Sequence, residues 1–229
     1  MANRLPCTFS HERNLLPGKA TPSDRRGKAM KIMSVLIAVI FVAGAPVSAA
    51  TMNSDKPSTV VLKFHAELVE VMKNAKELGY KGRYKKLEPV VLDTFDFPYI
   101  AKIVVGSYWQ NLTEQEKKDF IEAFEKLSIA TYAGRFNDYS GEHFEVISEE
   151  KYSGDQFILK TALVESNGDK VELDYILRST PAGYKVINVI ADGVSDLSVK
   201  RAEYTSVLKK ESFDGLIKIM HDKLDEFSN

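Results

Sequence analysis

The sequence predicts an α+β fold: a four-stranded antiparallel meander sheet, covered on one face by N- and C-terminal helices, with an apolar cavity between. Apolar residues recur every three or four positions up to about residue 136, alternate with polar residues between 144 and 190, and return to helical spacing after 197. This change of period indicates helices, then strands, then helices. A sheet with one apolar face must bury that face, and amphipathic helices provide the covering layer.

Length and charge limit the possible classes of protein. The chain has 229 residues, 31 Lys and Arg, 32 Asp and Glu, and 44% hydrophobic residues, which favours one globular domain. The lack of a basic excess argues against a nucleic-acid partner. Residues 1–49 differ from the remainder, because they carry seven basic and two acidic residues, a net +5 that leaves −6 for residues 50–229.

The apolar run near the N-terminus is typical of a secretory signal peptide. Lys31 precedes an apolar run over residues 32–42, and Pro46 is followed by the small residues of Val47-Ser48-Ala49. The run is about half of the ~20 residues needed to cross a bilayer. We therefore predict a signal peptide over residues 30–49, an upstream extension over 1–29 outside the folded domain, a linker over 50–56 and one domain over 57–229. Export to the periplasm follows.

The single cysteine, Cys7, lies in the upstream extension. The exported domain is therefore predicted to lack disulfides, thiol catalysis and cysteine-based metal sites.

The helical segments follow from apolar spacing and end signals. A first helix carries a stripe from Val61 to Leu78 and ends at Gly79, and a second stretch over 82–92 is interrupted at Pro89. Thr113 and Glu116 match a capping box, which begins a helix that runs to about residue 136. Two more helices are expected around residues 197–208 and 213–224, and the first is expected to be capped at its N-terminus by Ser195 or Asp196.

The strands follow from alternation and turn signals. Asn167-Gly168-Asp169 and Pro181-Ala182-Gly183 separate strands in the way that hairpin turns do. The apolar members of the four strands are Phe144, Val146, Phe157, Leu159, Leu163, Val171, Leu173, Tyr175, Leu177, Tyr184, Val186 and Ile190.

No motif in the chain indicates catalysis. The histidines are isolated, without metal-ligand spacing, and there is no nucleophile elbow or glycine-rich phosphate loop. We therefore assign no catalytic residue, no metal and no cofactor, and interpret His65 as a packing or surface residue of the first helix. A basic cluster, Lys81, Arg83, Lys85 and Lys86, is either a solvated surface or a docking patch for an acidic partner or anionic headgroups.

A helix-covered sheet with one apolar face can hold an apolar ligand. On the sheet, the predicted wall of the cavity consists of Phe157, Leu159, Leu163, Leu173, Tyr175 and Val186. On the helices, the predicted wall consists of Phe97, Ile100, Ile103, Val104, Phe124 and Leu127.

Several segments of the chain resemble the MlaC family, the periplasmic lipid-binding components of bacterial lipid ABC transport, also called toluene-tolerance proteins. The likeness extends over nearly all of residues 57–226 and is carried by residues 99–109, 112–113, 120–132, 184–195, 201–204 and 213–217. Residues 79–84, 94–96, 104–106, 128–133 and 139–142 look more like the hopanoid-associated HpnM branch. Tyr184 departs from that branch, whose members tend to have Trp there.

The resemblance implies a carrier that holds lipid tails, of phospholipid or hopanoid, between sheet and helices. It also implies exchange with an inner-membrane lipid transporter of the ABC/MCE or RND type and with an outer-membrane acceptor or donor.

Two alternatives remain open at this level. The first is an isomerase- or dehydratase-like enzyme that acts on an apolar substrate, with Asp93 or Asp174 as general base. The second is a periplasmic adaptor that docks proteins and holds no lipid.

Overall fold

A computed structural model describes residues 56–228, and the predictions for the extension, the signal peptide and most of the linker lie outside them. The chain order is α1 (Pro57–Lys73), α2 (Ala75–Thr94), α3 (Phe97–Val105), a 3-10 helix (Gly106–Asn111), α4 (Glu114–Arg135), β1 (His143–Ser153), β2 (Gln156–Val164), β3 (Lys170–Thr180), β4 (Gly183–Ala191), β5 (Val194–Ser195), α5 (Asp196–Lys210) and α6 (Phe213–Ser228). The α+β prediction is confirmed. In the described part, no helix is long and apolar enough to cross a membrane.

The sheet has five strands rather than the predicted four, in the order β1-β2-β3-β4-β5, with every neighbouring pair antiparallel. The additional strand, β5, has only two residues, and its Val194 lies opposite Ala191. A strand this short shows no alternation, so its sequence carries no strand signal.

The first helical stripe is divided between two helices, contrary to the prediction of one helix up to Gly79. The division is at Asn74, whose side-chain amide donates to the Glu70 carbonyl at 2.8 Å and so competes with the helical hydrogen bonds. Gly79 then bends α2 with φ 56° and ψ −178°, a conformation that a side chain would disfavour.

Contrary to the prediction from the sequence, Pro89 does not interrupt α2. Proline removes one helical hydrogen bond, and here it lies on the exposed side of the helix, where water can replace the lost donor.

The two predicted helix caps are confirmed. The Thr113 hydroxyl accepts from the Glu116 amide at 3.2 Å while the Glu116 carboxylate accepts from the Thr113 amide at 2.7 Å. Ser195 caps α5 by accepting from the Ser198 amide at 3.1 Å. Both caps are local, so they follow from sequence alone.

The helices and the sheet meet in one apolar core. Phe64 of α1 contacts Phe95 and Tyr132, with ring centroids 5.5 and 5.0 Å apart. At the junction of α2 and α3, the Asp96 amide donates to the Val186 carbonyl at 2.9 Å, and a β-bridge joins Phe95 to Val186. The covering layer is thus hydrogen-bonded directly to β4.

Burial along the strands is not confined to one side of the sheet. Leu159 and Tyr175, on the predicted apolar face, are 0% and 2% exposed, yet Ile158 and Ile176, which alternate to the other face, are 8% and 6% exposed. Both strands are central, and partly buried side chains such as Lys160 flank these isoleucines. The prediction of a single apolar face was therefore too simple.

Candidate functional site

The helix side of the predicted site is almost entirely buried. Phe97, Ile100 and Val104 of α3 are at most 7% exposed, as are Phe124 and Leu127 of α4. The rings of Phe97 and Phe124 meet edge to face at 5.8 Å. These five residues therefore form one continuous surface.

Ile103 is the exception on the helix side. It is only half-buried and does not belong to the core, and its carbonyl accepts from the Arg201 guanidinium of α5 at 3.1 Å. Ile103 therefore lies toward α5, at the border of the surface formed by the other five.

The sheet side of the predicted site faces the same core. Leu159, Leu173, Tyr175 and Val186 are buried members of it, and Leu163 packs against its edge. Phe157 is half-buried and contacts Tyr184, with the ring centroids 5.5 Å apart. Of the twelve predicted lining residues, nine thus lie in one core and Leu163 borders it. We call this core and its borders the apolar layer.

An apolar cavity between helices and sheet stays a prediction, and one depression among the described residues lies elsewhere. That depression has a volume of about 250 Å³ and is at the surface, next to the junction of α1 and α2. It is lined by Met72, Lys73, Asn74, Lys76, Glu77, Asp138 and Tyr139. None of these was predicted as a lining residue.

A polar pair inside the apolar layer was not foreseen from the sequence. Nε2 of His65 lies 3.0 Å from the Tyr175 hydroxyl. The imidazole also stacks on the Phe144 ring, with the ring centroids 3.8 Å apart and 11° between the ring planes. Burial lowers the pKa of His65 from 6.5 to about 3 and raises the pKa of Tyr175, so both side chains are neutral at pH 7. Spacing could have indicated that His65 is buried, because it follows Val61 by four positions and precedes Leu68 by three, but it could not have identified Tyr175 as the partner.

Arg83 is not part of a basic surface. It is buried, with Nε donating to the Ala133 carbonyl at 2.8 Å and a terminal nitrogen donating to the Ala75 carbonyl at 3.1 Å. The prediction that Arg83 belongs to a docking patch is corrected, because a guanidinium that binds two helix carbonyls is not available to a partner. Lys81 and Lys85 are exposed, and Lys86 is 3.6 Å from the Glu70 carboxylate.

Neither predicted general base is placed for chemistry in the apolar layer. The Asp93 carboxylate is 59% exposed and lies 3.0 Å from Lys63 and 3.1 Å from Lys185; hydrogen bonds from these lysines hold its pKa low. Burial raises the pKa of Asp174, but its position in β3 alternates away from Tyr175. Within residues 56–228, no group of three potential ligands could hold a metal ion.

Comparison with solved structures shows a similar fold in the phospholipid-binding protein of Ralstonia solanacearum, which was determined in complex with a phospholipid. The TM-score is 0.68 with 16% sequence identity, and the likeness covers 76% of this chain and 99% of the other.

Comparison of sequences finds the intermembrane phospholipid transport system binding protein MlaC of Haemophilus influenzae. It is 24% identical over 140 residues, which are 59% of this chain and 65% of the relative. The family model described as MlaC protein matches residues 63–222. That match covers more than half of the sequence, so the chain belongs to the MlaC family.

Proposed function

We propose that the protein is a periplasmic carrier that holds lipid tails between its helices and its sheet. The observation that carries the proposal is the apolar layer, a single core to which α3, α4 and β2–β4 all contribute apolar side chains. The same fold holds a phospholipid in the Ralstonia protein.

The energetics favour tails rather than headgroup as the source of affinity. Each methylene buried from water contributes about 0.8 kcal/mol, so one sixteen-carbon tail exposed to water costs on the order of 12 kcal/mol. A protein that replaces the membrane interior with Val104, Leu127, Leu159 and similar side chains removes most of this barrier. A tail can enter only where facing side chains separate, because protein interiors are close-packed.

The partners follow from the transport role. We propose exchange with an inner-membrane lipid transporter and an outer-membrane acceptor or donor, because the Haemophilus relative is named as the binding protein of an intermembrane phospholipid transport system. The predicted signal peptide over residues 30–49 supports a periplasmic location. Lys81, Lys85 and Lys86 remain the proposed docking patch.

Phospholipid is the proposed cargo, and a hopanoid is the alternative that the HpnM-like segments suggest. An apolar wall does not distinguish these lipids, because both present hydrocarbon to it.

An enzyme is the weaker alternative. The buried polar side chains of the described residues are His65, Arg83, Thr94 and Thr161, and none of these is a carboxylate. A general base for an apolar substrate would need to lie beside the apolar layer, whereas Asp93 is exposed and ion-paired.

The test is organic extraction of the purified protein followed by mass spectrometry, together with uptake of labelled phospholipid from vesicles. We expect co-purified lipid. Val104→Trp, which fills the layer at a fully buried position, and Leu173→Asp, which places a charge in it, should both lower uptake.

Leu92→Trp is the matched control, because Leu92 is 40% exposed on α2 and should leave uptake at the wild-type level. Circular dichroism establishes that each variant is folded. Wild-type protein that yields no lipid and takes up none would refute the carrier. Normal uptake by folded Val104→Trp and Leu173→Asp would place the tails elsewhere.

A further inference from the structure

His65 and Tyr175 form a polar pair in the apolar layer, and one of its atoms has no hydrogen-bond partner. The two side chains are 3% and 2% exposed, and His65 Nε2 lies 3.0 Å from the Tyr175 hydroxyl. Nδ1 on the other side of the imidazole is buried and unpartnered, and it is the only such side-chain atom in the part of the chain described.

Two other buried polar side chains among the described residues have hydrogen-bond partners. Arg83 donates to two carbonyls, and the Thr161 hydroxyl donates to the Leu173 carbonyl at 2.5 Å. A histidine that served only to fill space between α1 and the sheet would be less favourable than phenylalanine, because a buried polar atom without a partner destabilises the fold. The exception at Nδ1 therefore points to a role in binding.

We propose that this pair is a subsite that hydrogen-bonds an uncharged oxygen of the bound lipid, an ester carbonyl or a hydroxyl. The inference rests on the proposed carrier function, and it adds a chemical preference that a purely apolar layer would lack. Tyr175 is itself one of the predicted lining residues, and it lies opposite Leu159 and Val189 in the sheet. A tail in the layer would thus pass close to the pair.

The chemistry of the ring determines what it can bind. A neutral imidazole carries one N–H, so Nδ1 donates when Nε2 accepts from the Tyr175 hydroxyl, and accepts when Nε2 donates to it. The first tautomer suits a carbonyl or a hydroxyl, and the second suits a hydroxyl. The stack on Phe144 restricts the ring plane and therefore the direction of Nδ1. A charged group is disfavoured, because a neutral pair among apolar side chains cannot replace the hydration of an ion.

Two matched probe pairs, presented as trace components of phosphatidylcholine vesicles, test the subsite. The first pair is a labelled diester phosphatidylcholine and its diether analogue with identical tails, which differ in the carbonyls. The second is cholesterol and 5-cholestene, which differ in the hydroxyl. We expect wild-type protein to prefer the oxygen-bearing member of at least one pair by about tenfold, the effect of one hydrogen bond. The pair that shows the preference identifies the source of the oxygen.

His65→Phe should bring that ratio close to one, whereas His221→Phe, at an exposed histidine, should keep the wild-type ratio. If His65→Phe does not fold, the ring nitrogen resonances of His65 in wild-type protein provide the second measurement. The Nδ1 resonance should shift on binding the diester but not the diether, or cholesterol but not cholestene.

The outcomes separate the two proposals. Equal uptake of both members of both pairs by wild-type protein would overturn the subsite and leave the carrier intact. No uptake of any probe would overturn the carrier itself. A preference that survives in folded His65→Phe would also overturn the subsite.

Discussion

The buried histidine makes a quantitative prediction about stability at low pH. The pKa of His65 is about 3 in the folded protein and 6.5 for an ordinary histidine, so between these values the unfolded chain binds a proton that the folded protein does not. Its contribution to stability is therefore complete above pH 6.5 and decreases as the pH falls. The free energy of unfolding should decrease by up to about 1.4 kcal/mol per pH unit, or roughly 2 kcal/mol between pH 7.5 and pH 5.0.

The assay is urea unfolding at pH 7.5 and pH 5.0 of wild type, His65→Phe and His221→Phe. For each protein, the free energy of unfolding at pH 5.0 is subtracted from that at pH 7.5. Comparing this difference between variant and wild type removes the contributions of the titrating groups that they share. His65→Phe should lose about 2 kcal/mol less than wild type over this interval, because phenylalanine binds no proton in either state. His221→Phe, at an exposed position, should behave as wild type. Identical losses in wild type and His65→Phe would refute the neutral, buried state of His65.

Two further predictions concern stability alone. Arg83→Met should lower the free energy of unfolding by about 2–4 kcal/mol, because two helix carbonyls lose a charged donor. Lys85→Met, at an exposed position, should change the free energy of unfolding by less than about 0.5 kcal/mol. Equal effects of the two substitutions would contradict the structural role of Arg83. Thr113→Ala should cost about 1 kcal/mol in chemical unfolding through loss of the capping box, while Lys118→Ala on the exposed side of α4 should be near neutral. A Thr113→Ala protein as stable as wild type would mean that the cap adds nothing.

Features that depend on a few consecutive residues could be predicted from the sequence. The Thr113–Glu116 capping box, the Ser195 cap and the turn at Asn167-Gly168-Asp169 each use side chains whose partners lie within three residues. The helix–sheet–helix order could also be predicted from the sequence. The spacing of apolar residues, about 3.6 positions in a helix and 2 in a strand, can be recognised within a short stretch of the chain.

Features that depend on distant contacts could not be predicted. The charge of Arg83 suggested a surface patch together with its lysine neighbours, but its acceptor on Ala133 is 50 positions away. The role of His65 depends on Tyr175, 110 positions away, and spacing alone placed it only near an apolar stripe. Each of these side chains is buried with a hydrogen bond to a residue far along the chain, and no local pattern in the sequence records such a partner.

The hydrogen bond from Asp96 to Val186 has a consequence for how a guest would enter. This bond connects the α2–α3 junction to β4. The Arg178 guanidinium of β3 adds two contacts, because it lies 3.5 Å from the Asp96 carboxylate and 4.5 Å from the centroid of the Tyr99 ring. Lifting the helices from the strands at this corner would break these contacts. We therefore expect a gap for hydrocarbon to open at the part of the layer that lies away from this corner, with the α2–α3 junction as its hinge.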